Sequence, residues 1–474
     1  MSEDENEHGA PQAPPGNEGG NGSSQVDVDT EPSESPSEGG RNDDTSVSGP
    51  QPGTPPTEPV DISDTIGDDG GKASTPDKPS MESAAESHPQ TDTASIDPRG
   101  VVVRIGRSVD GLRSEERFFL PSVTDLNQLN IGVVGDLGTG KTQLVKSLVY
   151  QIRNAALANH NVAPRFLIFD YKRDYQSDDF VQAVGAKVVE PYQLPLNLFD
   201  TSGVTRKPAW MPRFQFFADV LDKIYSNIGP KQRSNLSRAV KEAHEAAARM
   251  GRAATIYDVE RQYEVIVGGN IDAPLSIIKD MTMSELFTHE PLPASSFEQF
   301  FDGVVVVSLA DLGQDDRTKN LVVAVFLNMF YEFMLRLPKR KYRGENPQLR
   351  TIDSYLLVDE ADNIMKYEFD VLKTILLQGR EFGVGVLLAS QYLRHFKVGA
   401  TDYREPLLTW FIHKVPDIKP QELAALGLNK DLAHLTERIK QLPKHHCLYK
   451  TADIPGVFVD GLPFYRLMED MPGL

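Results

Sequence analysis

The chain of 474 residues carries 49 Lys and Arg against 68 Asp and Glu, a net charge of −19, but positions 1–100 alone hold 22 acidic and 4 basic residues, leaving the remainder near neutral. Acidity therefore belongs to one end and excludes no class of partner, nucleic acid included, for the rest. The single cysteine, Cys447, excludes an intramolecular disulfide framework and a multi-cysteine metal centre, and fits a reducing compartment.

Residues 1–98 contain no Phe, Trp or Tyr and 14 of the 33 prolines, set among Gly, Ser, Asp and Glu. Such a stretch cannot bury enough apolar surface to offset the entropy of ordering it, so it reads as a long disordered N-terminal tail. It has neither the basic start nor the apolar run of a signal peptide. From Val101 short apolar runs alternate with amphipathic ones, which predicts an α/β domain with a mostly parallel sheet covered on both faces. Strands are expected at Ile131–Val134, Phe166–Phe169, Val304–Leu309, Tyr355–Val358 and Val384–Ala389.

Between the second and third strands, over about 200–300, the spacing around Phe214–Ile224 and the charged, alanine-rich run Lys231–Arg252 predict a helical insertion. Leu321–Leu337 is the longest apolar stretch, but Asn328 and Glu332 interrupt it, which argues against a bilayer span. A cytoplasmic protein without direct membrane insertion is the expectation. Further strands are expected at Thr409–Val415 and Cys447–Tyr449, and the domain is expected to run from 99 to 465, with 466–474 as a C-terminal tail.

Residues 135–142 read GDLGTGKT after the apolar Leu129–Val134. The spacing GxxxxGK[ST] is that of a phosphate-binding loop. Gly135, Gly138 and Gly140 let the backbone curl so that successive N–H groups face phosphate oxygens, with Asp136, Leu137, Thr139 and Gln143 completing the contacting segment. Lys141 reaches the β and γ phosphates, and the Thr142 hydroxyl is a ligand for Mg²⁺. Apolar residues at 144, 145, 148, 149 and 152 mark one face of the helix that follows, so the anion would meet a helix N-terminus. ATP and Mg²⁺ are the cofactors this pattern calls for.

Ser354–Glu360 reads as a buried strand ending in two carboxylates, the form of a Walker B element. Asp359 would hold Mg²⁺, through a water or beside Thr142, and Glu360 is the candidate general base for an attacking water. Gln391 closes the run GREFGVGVLLASQ at the carboxyl end of a strand, where ligands sit in open α/β sheets. It could sense the γ phosphate or orient the water, or it could simply cap the next loop.

The order GDLGTGKT, FDYK, LLVDE, GREFGVGVLLASQ resembles the HerA/FtsK superfamily of P-loop motors, which includes HerA-type DNA translocases, FtsK and the conjugative VirB4 and VirD4-type ATPases. The opening Val103–Gly111 is similar to the short strand pair that precedes the loop in these proteins. The resemblance implies a RecA-like (ASCE) P-loop NTPase fold, and a homo-oligomer, a hexameric ring, that threads double-stranded DNA and hydrolyses ATP between subunits. It implies that Arg380 acts on the adjacent subunit's nucleotide; a surface Arg paired with Glu381 or Asp362 is the other reading. Asp170, by the same match, acts near the nucleotide or in coupling adjacent elements, or else forms a turn. Two departures stand out: barely thirty residues separate the tail from the loop, where HerA proteins carry a β-barrel, and the transmembrane segments usual in FtsK and VirD4-like proteins are not seen.

Weaker signals complete the reading. Lys231–Arg238 with Lys241, Arg249 and Arg252 forms a basic helical face that could follow DNA phosphates, or be merely solvated. Lys339–Lys341 with Arg343 is a second basic loop. His445, His446 and Cys447 lack the spacing of a metal site. The functional expectation is an ATP-driven motor on double-stranded DNA, serving DNA processing, mobile-element transfer or antiphage defence. The alternatives are a nucleotide-gated scaffold for a nuclease or effector partner, and a secretion or conjugation ATPase.

Overall fold

The computed structural model describes residues 99–111, 113–124, 129–225, 228–291, 295–313, 315–339, 348–452 and 455–470. Residues 1–98, read above as a tail, and most of the second basic loop, 340–347, lie outside the described residues.

In chain order the strands are β1 (Val103–Ser108), β2 (Glu116–Phe119), β3 (Ile131–Val134), β4 (Arg165–Asp170), β5 (Ala186–Val189), β6 (Val304–Ser308), β7 (Ser354–Val358), β8 (Val384–Ser390), β9 (Lys397–Val398), β10 (Thr401–Asp402), β11 (Thr409–Ile412), β12 (His446–Thr451) and β13 (Val457–Gly461). The helices are α1 (Lys141–Arg153), α2 (Asp178–Val184), α3 (Trp210–Tyr225), α4 (Pro230–Arg249), α5 (Ile256–Val267), α6 (Ala273–Met283), α7 (Ser295–Phe300), α8 (Asp316–Arg336), α9 (Asp362–Met365), α10 (Asp370–Gln378), α11 (Pro420–Ala424), α12 (Leu432–Lys440) and α13 (Phe464–Glu469).

Eleven strands form one sheet in the order β2-β1-β13-β12-β11-β3-β8-β7-β4-β6-β5. From β11 to β5 every pairing is parallel, whereas β12, β13, β1 and β2 extend the edge antiparallel. The inner parallel strands β3, β6, β7 and β8 are buried at every position because both faces are covered. Along β4, Leu167 and Phe169 join the core on one face while Phe166 and Ile168 join the core on the other, and β6 divides in the same way between Val305 with Val307 and Val304 with Val306. The last antiparallel strand, β13, and the parallel edge strand β5 are too short or too mixed in polarity to carry a clear signal in the sequence. The strand expected at 304–309 stops at Ser308, where a 3₁₀ turn begins, and that expected at 409–415 stops at Ile412.

The insertion expected at about 200–300 is helical: α3 to α7 lie between β5 and β6. Its anchor to the sheet is α8, which packs against α3 and α10 and is buried on most of its surface. Among the described residues α8 alone is long and apolar enough to cross a membrane; an all-round apolar helix is also what a covered core position requires. The polar interruption noted in its sequence has a partner here, since Glu332 pairs with the buried Arg213 of α3 and accepts from Asn328 at 3.2 Å. Residue 465, the expected end of the domain, lies in α13, whose Phe464 packs against Tyr150 of α1 and Phe180 of α2.

Candidate functional site

The sheet order decides where the site forms. β3 feeds the loop at 135–142, β7 ends in Asp359, and β8 lies between them, so the carboxyl ends of three neighbouring strands converge. Leu144, Val145, Leu148, Val149 and Ile152 bury one face of α1, as the spacing predicted, and fix the helix N-terminus at Lys141. Around that point runs a cleft of about 400 Å³ lined by residues 137–143, Asp359, Glu360, Ser390 and Gln391, together with Asp170–Lys172, Asp174, Lys444 and His445.

The loop conformation requires its glycines at two places. Gly140 has φ +106°, and a Cβ there would lie 2.5 Å from His445 Nδ1; at Gly135 a Cβ would lie 2.6 Å from His413 Cβ. Gly135 and Asp136 form the back of the loop and do not line the cleft: the Asp136 N–H donates to the Lys414 carbonyl at 2.8 Å and Thr139 Oγ1 donates to the Asp136 carbonyl at 2.8 Å. Lys141 Nζ donates to the carbonyls of Gly135 at 2.6 Å and Asp136 at 3.1 Å. Burial holds its ammonium below the ordinary lysine range, against the pull of Asp359. The cleft is therefore a backbone cradle with one desolvated cation, a form complementary to a phosphate chain.

The acidic wall is built by two segments. Asp359 is buried and accepts from the Tyr175 hydroxyl and the Glu360 N–H, each at 3.0 Å. Burial pushes its carboxyl up to about 6, a direction that Tyr175 and Lys141 oppose. Glu360 adopts a left-handed backbone, φ +55°, and its carboxylate forms an ion pair with Lys172. Among the described residues no group of three His, Cys, Asp or Glu could enclose a metal ion. The Thr142 hydroxyl and Asp359 carboxylate are hard oxygen donors in the same cleft, so a cation held there would take most of its ligands from phosphate and water, the habit of Mg²⁺.

Gln391 lines the cleft, and its amide makes no hydrogen bond among the described residues, so it does not cap the following loop. Its neighbour Ser390 is engaged instead, donating to Asp362 Oδ1 at 2.8 Å with His395 Nδ1 also at 2.8 Å. Asp170 is a turn former in its bonds: it accepts the N–H groups of Lys172, Asp174 and Tyr175 and the Gln176 amide, at 3.0 to 3.2 Å.

Arg380 is not in this cleft. It sits in a 3₁₀ turn before β8, in an exposed groove with Leu129, Asn130 and Glu405 at the amino edge of the sheet. The seven residues of β8 separate the two edges by roughly 20 Å, beyond the reach of a side chain. Among the described residues neither expected partner forms an ion pair with it: Glu381 pairs with Lys339 at 2.5 Å, Arg380 adding a weaker charge nearby, and Asp362 accepts from Ser390.

Much of the basic run is matched by acids: Arg238 pairs with Glu242 at 2.8 Å, Lys241 with Glu245 at 3.7 Å, and Arg233 with Asp222 at 2.6 Å, while Arg252 pairs with Asp258 at 2.6 Å. Sequence reasoning missed Tyr175, Lys444 and His445 as site residues. His445 comes from the far end of the chain, its N–H donating to the Thr139 carbonyl at 2.9 Å, and no local pattern relates it to residue 140.

Residues 119–194 match the family described as the type IV secretion-system coupling protein DNA-binding domain. Comparison with curated proteins returned no match. Among solved structures, VirB4 of Thermoanaerobacter pseudethanolicus is 14% identical over 78% of this chain and 98% of its own, with a TM-score of 0.57. The conjugative coupling protein TrwB, in its unbound monoclinic form, is 16% identical over 73% of this chain and 87% of its own, with a TM-score of 0.45. TrwB in complex with ADP and Mg²⁺ is 15% identical, covering 76% and 94%, with a TM-score of 0.46. At these identities the VirB4 likeness is one of architecture, and it agrees with the strand order and loop described above: the chain has a RecA-like P-loop NTPase fold.

Proposed function

We propose that this protein is an ATPase that works as a ring of like subunits, six in number, to move double-stranded DNA. The observation that carries the ATPase reading is the convergence of the phosphate loop, Asp359–Glu360 and Gln391 at the ends of three adjacent strands. The loop amides and Lys141 would hold the β and γ phosphates, and Thr142 with Asp359 would hold Mg²⁺, which neutralises charge on the phosphate oxygens. Glu360 takes a proton from the attacking water, and Gln391 orients that water.

The similarity of 119–194 to a coupling-protein DNA-binding domain supports DNA as the substrate. The position of Arg380, at the far edge of the sheet and without an ion pair among the described residues, supports a role across a subunit boundary, where its guanidinium would meet charge developing on a neighbour's phosphate. The reading assigns the protein to the cytoplasm. Its test is hydrolysis of ATP with and without duplex DNA over a range of salt, beside the assembled mass. Turnover should rise with DNA and vanish in Glu360→Gln, and mixing Arg380→Ala with Glu360→Gln subunits should restore part of it. Turnover indifferent to DNA would end the motor reading and leave the ATPase.

The fold likeness to VirB4 favours one second reading, an ATPase of a secretion or conjugation apparatus whose turnover answers to a protein partner. Absence of duplex binding, with stimulation by membrane-associated components, would select it.

A further inference from the structure

We propose that Lys172 is a positioning residue that exchanges between the Glu360 carboxylate and the terminal phosphate of a nucleoside triphosphate, so that Glu360 is released to act on water only when a triphosphate is bound. The inference rests on the nucleotide-hydrolase reading above and adds to it the means by which the site distinguishes triphosphate from diphosphate.

The turn that carries Lys172 is held from below. The buried Asp170 carboxylate accepts three consecutive-turn N–H groups, those of Lys172, Asp174 and Tyr175, and Arg173 adopts φ +63° with its guanidinium on Asp311. This stiff base touches both members of the acidic pair, through Tyr175 on Asp359 and Lys172 on Glu360. The Lys172 side chain reaches Glu360 from the solvent side, being 46% exposed, while Glu360 is 21% exposed. A partly exposed ion pair of this kind is weakly held.

Glu360 stands in the left-handed region, where a non-glycine residue persists only if its surroundings over-determine it. Its N–H is bound to Asp359 Oδ1, and its carboxylate faces the ammonium of Lys172. A carboxylate beside an ammonium holds its charged form more strongly and so is a poorer acceptor of a proton from water. Lys172 lines the same cleft as Lys141, so a terminal phosphate there presents it with a competing anion of higher charge and three acceptor oxygens. A diphosphate lacks that group, and the ammonium stays on Glu360.

The experiment measures binding, with the full chain and Mg²⁺, of a fluorescent non-hydrolysable ATP analogue and of ADP to the wild type, Lys172→Met, Glu360→Gln and the double variant. Lys172→Met should weaken the triphosphate about tenfold, the size of one charge-assisted hydrogen bond, and leave ADP within about twofold, which also certifies the fold. Glu360→Gln removes the competitor, so it should tighten the triphosphate severalfold when Lys172 is present and have no effect in the Lys172→Met background. ADP and triphosphate affinities that shift together, or a Glu360→Gln effect equal in both backgrounds, overturn the exchange while leaving the nucleotide site intact. A wild type that binds neither nucleotide removes the hydrolase reading and the exchange with it.

Discussion

Replacing Asp359 by Asn should raise the stability of the folded chain while abolishing hydrolysis. Asp359 is buried at the end of β7, and burial lifts its carboxyl from 3.8 to about 6. At 1.36 kcal/mol per pH unit, keeping that charge in the fold at neutral pH costs about 3 kcal/mol. Asn keeps one oxygen for the Tyr175 hydroxyl, but the Glu360 N–H loses its acceptor, a loss of about 1 kcal/mol. The net gain of about 2 kcal/mol, set against the unfolding entropy of a domain of about 370 residues, raises Tm by about 3 °C.

The pH dependence supplies the sharper criterion. A group with a raised folded pKa stabilises the fold below its unfolded value and loses that contribution as pH rises through about 6. The advantage of Asn is therefore absent near pH 4, grows between about pH 4 and 6, and is complete above. His413 acts in the opposite sense: burial lowers it to about 3, so stability present above 6.5 is lost as pH falls. The wild-type curve mixes the two, and only the difference between variant and wild type isolates Asp359. Urea denaturation followed by circular dichroism, without nucleotide or divalent metal, measures it. No difference at about pH 8, or the same difference at about pH 4 and 8, refutes the argument.

Three other substitutions probe the site from different sides. Tyr175→Phe removes the hydroxyl that holds Asp359 and should cost about 1–3 kcal/mol of stability, with a matching loss of Mg²⁺-dependent nucleotide affinity in titrations at fixed nucleotide; an unchanged Mg²⁺ dependence would show that Asp359 needs no such support. Gly140→Ala must hold φ near +106° and seat a methyl against His445, at a cost of about 1–3 kcal/mol by denaturation. His445→Ala in the same chain should recover the steric part and leave the backbone part, so complete recovery or none contradicts the geometry. Arg380→Ala removes an exposed side chain and should leave the melting curve within about 0.5 kcal/mol, yet lower turnover at least about a hundredfold; full activity would remove the intersubunit role.

Much of the site was legible locally. The GDLGTGKT loop, the apolar run into Asp359–Glu360 and the spacing of α1 are contiguous patterns, each set by the chemistry of a few neighbouring residues, and each stands where the pattern put it. The helical insertion was legible from its period, and the parallel core from strands apolar at every position. The two carboxylates' partners were not. Tyr175 and Lys172 follow a different strand from the acids they hold, and a tyrosine in a turn carries no mark of what its hydroxyl will reach.

Residue types and short spacings were enough to place a GxxxxGK[ST] loop and a strand ending in paired carboxylates in an α/β domain, because those patterns are complete within a dozen residues. Tertiary structure alone decided which distant groups complete the cleft. Inserting β8 between β3 and β7 brings Gln391 between loop and acids, and leaves Arg380 on the opposite edge. Pairing β11 with β3 carries His413 against the 135–142 loop, and the antiparallel pairing of β12 with β11, across α11 and α12, brings His445 to the same place. Register across a sheet depends on how every strand shares two buried faces, and no local segment contains that information.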